Sequence, residues 1–209
     1  TTIFCHPLVW FYAAAYACTG AVRHSSDQLS VMFFTEQLGI DLKSKPLSVI
    51  ITLNLMTAAA ILGSIASGWI SDRFFKGQRA PVAKFLYFLE AIVLAAAAAV
   101  MFTGLIQPGL LGVTLGGFFL VMTSLTVNST HSIVGAAAPM DIGGKKMAGF
   151  AAGVIDSFQY YGSAICLFIT GLVLAEFGWS GWYPVMIAFA LCGGLSMILL
   201  ERKQKRLAR

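Results

Sequence analysis

Charged side chains are scarce in this sequence, and their scarcity decides the class of protein. Only 11% of the 209 residues are Asp, Glu, Lys or Arg, whereas soluble domains carry roughly 25%. Hydrophobic residues make up 58% of the chain, and the mean hydropathy is +0.81. Several apolar runs reach the roughly 20 residues that a helix needs to cross a bilayer. The composition therefore excludes an ordinary soluble domain and predicts an all-α membrane protein.

The signatures of an enzyme are also missing. The sequence has no glycine-rich phosphate loop, no metal-ligand cluster and no arrangement of a nucleophile with a base. The four cysteines lack the spacing of metal ligands. Three of them lie in apolar stretches, where we expect free buried thiols: Cys18, Cys166 and Cys192. We therefore predict a protein that is not an enzyme and needs no cofactor or metal. The net charge of +5 does not indicate nucleic-acid binding, because the basic residues lie in short loops and the tail.

Six apolar segments can be marked, and each is expected to form a transmembrane helix. They cover about residues 7–34, 46–70, 82–103, 110–138, 147–175 and 182–200. The pattern predicts a six-helix transmembrane bundle over residues 1–200 and a basic cytoplasmic tail over residues 201–209. The chain starts without Met and shows no cleavable signal pattern. We expect a fragment or one half of a longer protein.

The basic residues of the loops lie mainly on one side of the predicted membrane. That side carries Arg73, Lys76, Arg79, Lys84, Lys145, Lys146, Arg202, Lys203, Lys205, Arg206 and Arg209. The other side carries only Lys43 and Lys45. By the positive-inside rule, both ends of the chain are predicted to be cytoplasmic. Trp179 and Trp182 flank the turn before the last segment, where interfacial aromatic residues are expected.

The turn between the second and third segments carries a compact set of glycines and charges. Gly68 is expected to let the helix end pack against a neighbour, and Gly77 to permit the chain reversal. Asp72, Arg73 and Arg79 can form ion pairs in one conformation that break in another, as in a gate. The alternative interpretation is a basic loop that only follows the topology rule.

The stretch from residue 141 to residue 164 is the most informative part of the chain. It is expected to begin as a short charged loop over residues 141–146 and to continue as a helix. Gly149 and Gly153 form a G-x-x-x-G pair, which lets another helix approach closely in a membrane. Asp156 and Tyr160 follow on nearly the same face. An acid inside a membrane helix is costly, so Asp156 indicates a functional site.

Both stretches resemble a known transporter family. The turn is similar to the G-x-x-x-D-R/K…G-x-R signature of the major facilitator superfamily. Residues 145–162 resemble the K-K-x-A-G-x-A-A-G…F-x-Y-x-G run of the organophosphate:phosphate antiporter family, which includes glycerol-3-phosphate and hexose-phosphate transporters. The resemblance covers essentially the whole chain and implies six transmembrane helices that form one half of a major facilitator fold. The N-terminal six-helix half would be the missing partner, in a bacterial inner (plasma) membrane.

Seven residues are candidates for substrate binding: Arg23, His24, Asp27, Asn128, His131, Asp156 and Tyr160. The resemblance implies that Arg23 binds substrate phosphate, for which a guanidinium offers a planar fork. The alternative is that Arg23 only pairs with Asp27, four residues further along the helix. His131 lies in a polar run and either contacts phosphate or is satisfied by a backbone carbonyl. Tyr160 corresponds to a tyrosine that lines the family's cavity, or packs ordinarily.

The resemblance implies a secondary active transporter that exchanges an organic phosphate, or a similar small anion, for inorganic phosphate by alternating access. One alternative is a membrane sensor of a sugar phosphate, since the family contains such receptors. Another is a proton-coupled transporter of a carboxylate or sugar acid, which the acids Asp27 and Asp156 favour. Glu90 lies in the third segment, which is peripheral in this architecture, and is not expected to bind substrate. The residues in the first helix of the N-terminal half would discriminate phosphate from proton coupling.

Overall fold

The computed structural model describes residues 7–44 and 46–207, except for the side chains of residues 7, 141–145 and 207. The predictions that involve Cys5, Lys45, Arg209 and the side chain of Lys145 lie outside the described residues.

The chain folds into long helices joined by short turns. The helices are α1 (Pro7–Glu36), α2 (Leu47–Phe74), α3 (Arg79–Phe102), α4 (Leu110–His131), α5 (Ala138–Phe177) and α6 (Trp182–Leu207). A π-helical segment, Ser132–Ala137, joins α4 to α5, and 3-10 turns occupy Leu42–Ser44 and Gly178–Gly181. The described residues contain no strand. The all-α prediction is confirmed for this part of the chain.

Four helical stretches are long and apolar enough to cross a bilayer, within the ranges that the structure describes. They are Leu47–Phe74, Arg79–Phe102, Leu110–Met140 and Lys146–Arg206. The last stretch contains both α5 and α6, and α1, the most polar of the predicted segments, is not among the four. These four stretches therefore have the length and composition of membrane spans, and six separate crossings stay a prediction.

The helices pack in a small number of pairs. α1 contacts α5, α6 and α4, while α2 packs on α4 and α3 packs on α6. One hydrophobic cluster lies around Phe33, Leu94 and Trp182, and a second lies around Tyr16 and Ile155. Because lipid tails are as apolar as these side chains, close van der Waals contact between helices provides the stabilisation. α1 therefore occupies the centre of the bundle.

Trp179 and Trp182 belong to the protein interior, so the interfacial prediction is wrong. Trp182 is fully buried, and its indole Nε1 donates a hydrogen bond to Ser25 Oγ at 2.9 Å. The Phe33 ring lies against both indoles, with ring centroids 5.4 Å and 5.3 Å apart. A buried tryptophan needs a partner for its N–H group, and α1 supplies it here.

The predicted charged loop over residues 141–146 is helical backbone instead, because α5 begins at Ala138. Pro139 lies at the start of this helix and cannot donate to the carbonyl four residues earlier. The π-helical segment Ser132–Ala137 comes directly before it. A π-turn widens the helix locally and commonly occurs at functional sites. The chain thus accommodates the proline without an irregular loop.

Side-chain contacts show which helix ends lie together. Lys84 Nζ, in the first turns of α3, is 2.6 Å from Glu201 Oε2 near the end of α6. Lys203, also near the end of α6, lies over the Phe11 ring at the start of α1, 5.4 Å from its centroid. The predicted tail continues α6 as helix to Leu207. The start of α1, the start of α3 and the end of α6 therefore share one end of the bundle.

Candidate functional site

The site is built where α1 crosses α5. A Cβ added to Gly20 would collide with the backbone of Gln159, and one added to Gly162 would collide with the backbone of Ala17. The two helices therefore touch backbone to backbone, and the side chains on either side of the crossing face one another. The family resemblance includes Gly162 but does not predict its contact with α1, and nothing in the sequence singled out Gly20.

The G-x-x-x-G pair that the sequence did single out behaves differently. A Cβ on Gly149 or on Gly153 would meet no atom within 4 Å. Within the described chain, this pair therefore does not mark a close helix contact. The residues that follow it, Asp156 and Tyr160, nevertheless lie beside α1.

A cavity of about 350 Å³ opens between α1, α2 and α4. Its lining residues are Arg23, Asp27, Ser30, Leu53, Met56, Thr57, Ala60, Ser124 and Asn128. Arg23 Nε is 4.0 Å from Asp27 Oδ2, at the outer limit of an ion pair. Arg23 Nε is also buried without a hydrogen-bond partner among the described residues. The guanidinium therefore has donor capacity that Asp27 does not use.

Asn128 forms a wall of this cavity. Its side-chain Nδ2 donates to the carbonyl of Ser124, one turn earlier, at 2.8 Å. The backbone carbonyl of Asn128 accepts a hydrogen bond from Ser64 Oγ of α2 at 3.3 Å. Asn128 is therefore tied to its own helix and helps to join α4 to α2.

His131 pairs with a tyrosine that the sequence reasoning missed. Tyr16 Oη lies 2.7 Å from His131 Nδ1, and the two rings stack with centroids 5.4 Å apart. Tyr16 is almost fully buried, and a Cβ on Gly135 would collide with its hydroxyl and ring. An aromatic residue in an apolar helix carries no signal of such a role.

The α5 side chains complete the group. Gln159 Nε2 donates to Asp156 Oδ1 at 2.6 Å. The rings of His24 and Tyr160 are 5.5 Å apart between centroids, and 58% of Tyr160 is exposed. The structure therefore brings Tyr160 of α5 beside His24 of α1, with Asp156 one turn earlier on α5.

A separate polar contact closes the turn between α2 and α3. Arg79 Nη1 donates to Asp72 Oδ1 at 2.9 Å and to Ser71 Oγ at 2.8 Å. Gly77 has φ 75°, in the left-handed region that favours glycine. A Cβ on Gly68 would meet nothing within 4 Å, so the structure shows no close neighbour there. Arg73 is exposed.

The larger groove in the structure lies away from all these residues. It has a volume of about 630 Å³ and runs between the ends of α3, α5 and α6. Its lining is almost entirely apolar, so it offers no group that would orient a charged ligand.

Nearly the whole chain is similar to known transport and sensor proteins. The glycerol-3-phosphate transporter of Bacillus subtilis (strain 168) is 29% identical over 199 residues, which cover 95% of this chain. Membrane sensor protein UhpC of Escherichia coli (strain K12) is 25% identical over 200 residues, also 95% of this chain. A probable hexose phosphate transport protein of Chlamydia trachomatis serovar D is 26% identical over 199 residues, or 91% of this chain.

The chain spans about two fifths of the length of these relatives: 42%, 42% and 39% of them, respectively. No family model matches the chain. The similarities confirm the resemblance seen in the sequence. The chain is related along nearly its whole length to membrane transporters of glycerol 3-phosphate and hexose phosphate and to a membrane sensor.

Proposed function

We propose that this chain is the C-terminal six-helix half of a secondary active transporter of the major facilitator type. It exchanges an organic phosphate, or a similar small organic anion, for inorganic phosphate by alternating access. The observation that carries this proposal is the Arg23 guanidinium, which lines a cavity of about 350 Å³ with an unused donor. The similarity to the glycerol-3-phosphate transporter of Bacillus subtilis supports the substrate class.

The contacts suggest how the anion is held. A phosphate group offers two oxygens to the guanidinium fork, a geometry that the 4.0 Å contact with Asp27 does not use. Substrate therefore competes with Asp27 for Arg23. The low dielectric of a membrane cavity strengthens the attraction. One guanidinium does not neutralise a phosphate dianion, so the N-terminal half supplies a second cation in this proposal.

The remaining polar residues act around this centre. Tyr160 and His24 lie as a pair at the α1–α5 crossing, where they can contact the organic part of the substrate. Tyr16 and His131 form a second, more buried pair. The Asp72–Arg79 ion pair is the gate contact, made in this conformation and broken in the other. Both ends of the chain face the cytoplasm, in line with the one-sided distribution of its basic residues.

Substrate binding to Arg23 variants of the full-length protein tests the proposal. Arg23→Lys keeps the charge and loses the planar fork. Loss of one charge-assisted contact costs roughly 1.5–3 kcal/mol, so binding should weaken about ten- to a hundredfold. Arg23→Gln should bind more weakly still. The measurement is the Kd for glycerol 3-phosphate and for inorganic phosphate.

The double variant Arg23→Gln/Asp27→Asn is the control for a purely structural ion pair. If Arg23 served only Asp27, removing both charges together would leave no lone buried charge and would restore function. A double variant that binds like the wild type would refute the substrate role of Arg23.

A membrane sensor is the second candidate, because the similarity to the Escherichia coli membrane sensor covers 95% of this chain. A sensor needs the same anion-binding cavity but does not move its ligand. Exchange of labelled phosphate by the full-length protein in liposomes separates the two functions. Binding without exchange would favour the sensor.

A further inference from the structure

Glu90, near the middle of α3, is the most enclosed acid in the described chain. Its side chain is fully buried, with 0% of the residue exposed. Its Oε1 atom has no hydrogen-bond partner among the described residues, and no cation pairs with it there. By contrast, Asp27 and Glu201 each have a basic partner. An unpaired carboxylate in a membrane interior is costly enough to take up a proton instead.

The described polar groups near Glu90 carry no positive charge. On its own helix, the Tyr87 hydroxyl donates to the carbonyl of Ala15 at 2.6 Å. α1 contributes the buried Cys18 thiol, and Cys192 of α6 lies near that thiol. α4 contributes Thr130, whose Oγ1 is 3.5 Å from Glu90 Oε2. Among the described residues, the polar group in contact with this carboxyl group is the Thr130 hydroxyl, and no ion pair reaches it.

The Thr130 hydroxyl has one proton and two possible acceptors. Its Oγ1 is 3.1 Å from the carbonyl of Thr126, which is closer than Glu90 at 3.5 Å. If the proton goes to Thr126, the lone pairs of Oγ1 remain free to accept. A protonated Glu90 is the neighbouring group that can donate to them.

We propose that Glu90 is a proton-binding site, which holds its proton against Thr130 in this conformation and releases it when α4 moves away from α3. The O–H bond of the carboxyl group breaks, the proton passes to water, and the carboxylate is solvated by water that enters between the helices. One proton moves and no electron does. The coupling to transport rests on the proposed function.

The position of Thr130 connects this proton to the substrate site. Thr130 directly precedes His131, which pairs with Tyr16, and its helix carries Asn128 into the Arg23 cavity. A movement of α4 during substrate binding therefore changes the distance between Thr130 and Glu90. Proton release and substrate binding become linked through one helix.

Infrared spectroscopy of the full-length protein in lipid vesicles tests the protonation without any transport. The C=O stretching band of a protonated carboxylic acid should be present at neutral pH and should be lost in Glu90→Gln. Glu176→Gln, which removes an exposed acid at the end of α5, should keep the band. If Glu90→Gln leaves every such band unchanged, Glu90 is ionised and the proposal is wrong. Should Glu90→Gln not fold, Glu90→Asp must shift the band instead.

Two further measurements test the hydrogen bond and the coupling. Thr130→Val should move the band to higher frequency, because the carboxyl group loses its acceptor, and Thr130→Ser should restore it. Inorganic phosphate added to the wild type should release up to one proton per protein, detected with a pH indicator dye, and none from Glu90→Gln. A band that persists without proton release would refute the coupling. Absence of phosphate binding would refute the transport proposal and leave the infrared result standing.

Discussion

The α1–α5 and α3–α6 contacts both depend on glycine, but they use it differently. At the first contact, Gly20 and Gly162 let one backbone touch another. At the second, Gly194 makes room for the Phe88 ring, which a Cβ would approach to 3.1 Å. A backbone cannot move aside without shifting the whole helix, whereas a ring can adjust. Gly20 and Gly162 should therefore tolerate a methyl group less well than Gly194 does.

The polar groups near the two contacts differ in how much of their surface is exposed. Beside the α1–α5 contact, α1 carries Arg23 and Asp27 and α5 carries Tyr160, all of them exposed or half-buried. Beside the α3–α6 contact, Glu90 and Tyr87 are completely enclosed. Arg23 and Asp27, which we propose to meet the substrate, line an open cavity, whereas Glu90 is enclosed.

Of the substitutions that test this difference, Gly20→Ala should lower the stability of the folded bundle most. The new methyl group meets the Gln159 backbone, and overpacking of this kind typically costs 1–3 kcal/mol. Gly194→Ala should cost less, because the Phe88 ring gives way. Thermal unfolding in detergent measures both. Gly171→Ala, where a Cβ meets nothing within 4 Å, is the control and should be nearly neutral. Equal losses at Gly20 and Gly194 would contradict the distinction between the contacts.

Tyr16→Phe should cause the next largest decrease in the free energy of unfolding. It removes the hydroxyl that is hydrogen-bonded to the half-buried His131 ring, and loss of such a bond costs about 0.5–1.5 kcal/mol. The matched variant is Tyr183→Phe in α6. The Tyr183 hydroxyl is buried with no hydrogen-bond partner among the described residues, so its removal should cost nothing. The free energy of unfolding of the two variants is the measurement, and a greater loss for Tyr183→Phe would overturn this ranking.

Lys84→Met should lower the free energy of unfolding least. The Lys84–Glu201 ion pair joins α3 to α6 at the bundle end, with 33% and 20% of the two side chains exposed. A partly exposed pair of this kind contributes about 0.2–1 kcal/mol. The difference between Lys84→Met and the wild type should shrink at high salt, because ions screen such pairs. A difference that is unchanged in 1 M salt would show that Lys84 acts through packing instead.

Features that follow from local composition and spacing could be predicted from the sequence. Contacts between residues far apart in the chain could not. The helices near residues 47–74 and 79–102 follow from long apolar runs, and the pairing of Arg23 with Asp27 follows from helical spacing. Tyr16 was missed because its partner His131 is 115 residues away. Distant contacts of this kind have no local signature.

The glycines show that a local sequence pattern does not by itself predict a helix contact. The spacing of Gly149 and Gly153 satisfies a known pattern, yet no helix of the described chain lies against them. Gly20 and Gly162, which carry the crossing, belong to different helices, so no spacing along the chain indicates that these two sites meet. The interior position of Trp179 and Trp182 likewise depends on Phe33, which lies far away in the sequence.

The contact between Lys203 and the Phe11 ring places the start of α1 and the end of α6 side by side. Reporter proteins fused before α1 and after α6 should therefore lie in the same compartment, and both should be active or both inactive. Joining two such bundles in tandem with the same orientation requires only a connector that runs along this one face. A connector that crosses the bilayer would reverse the second bundle.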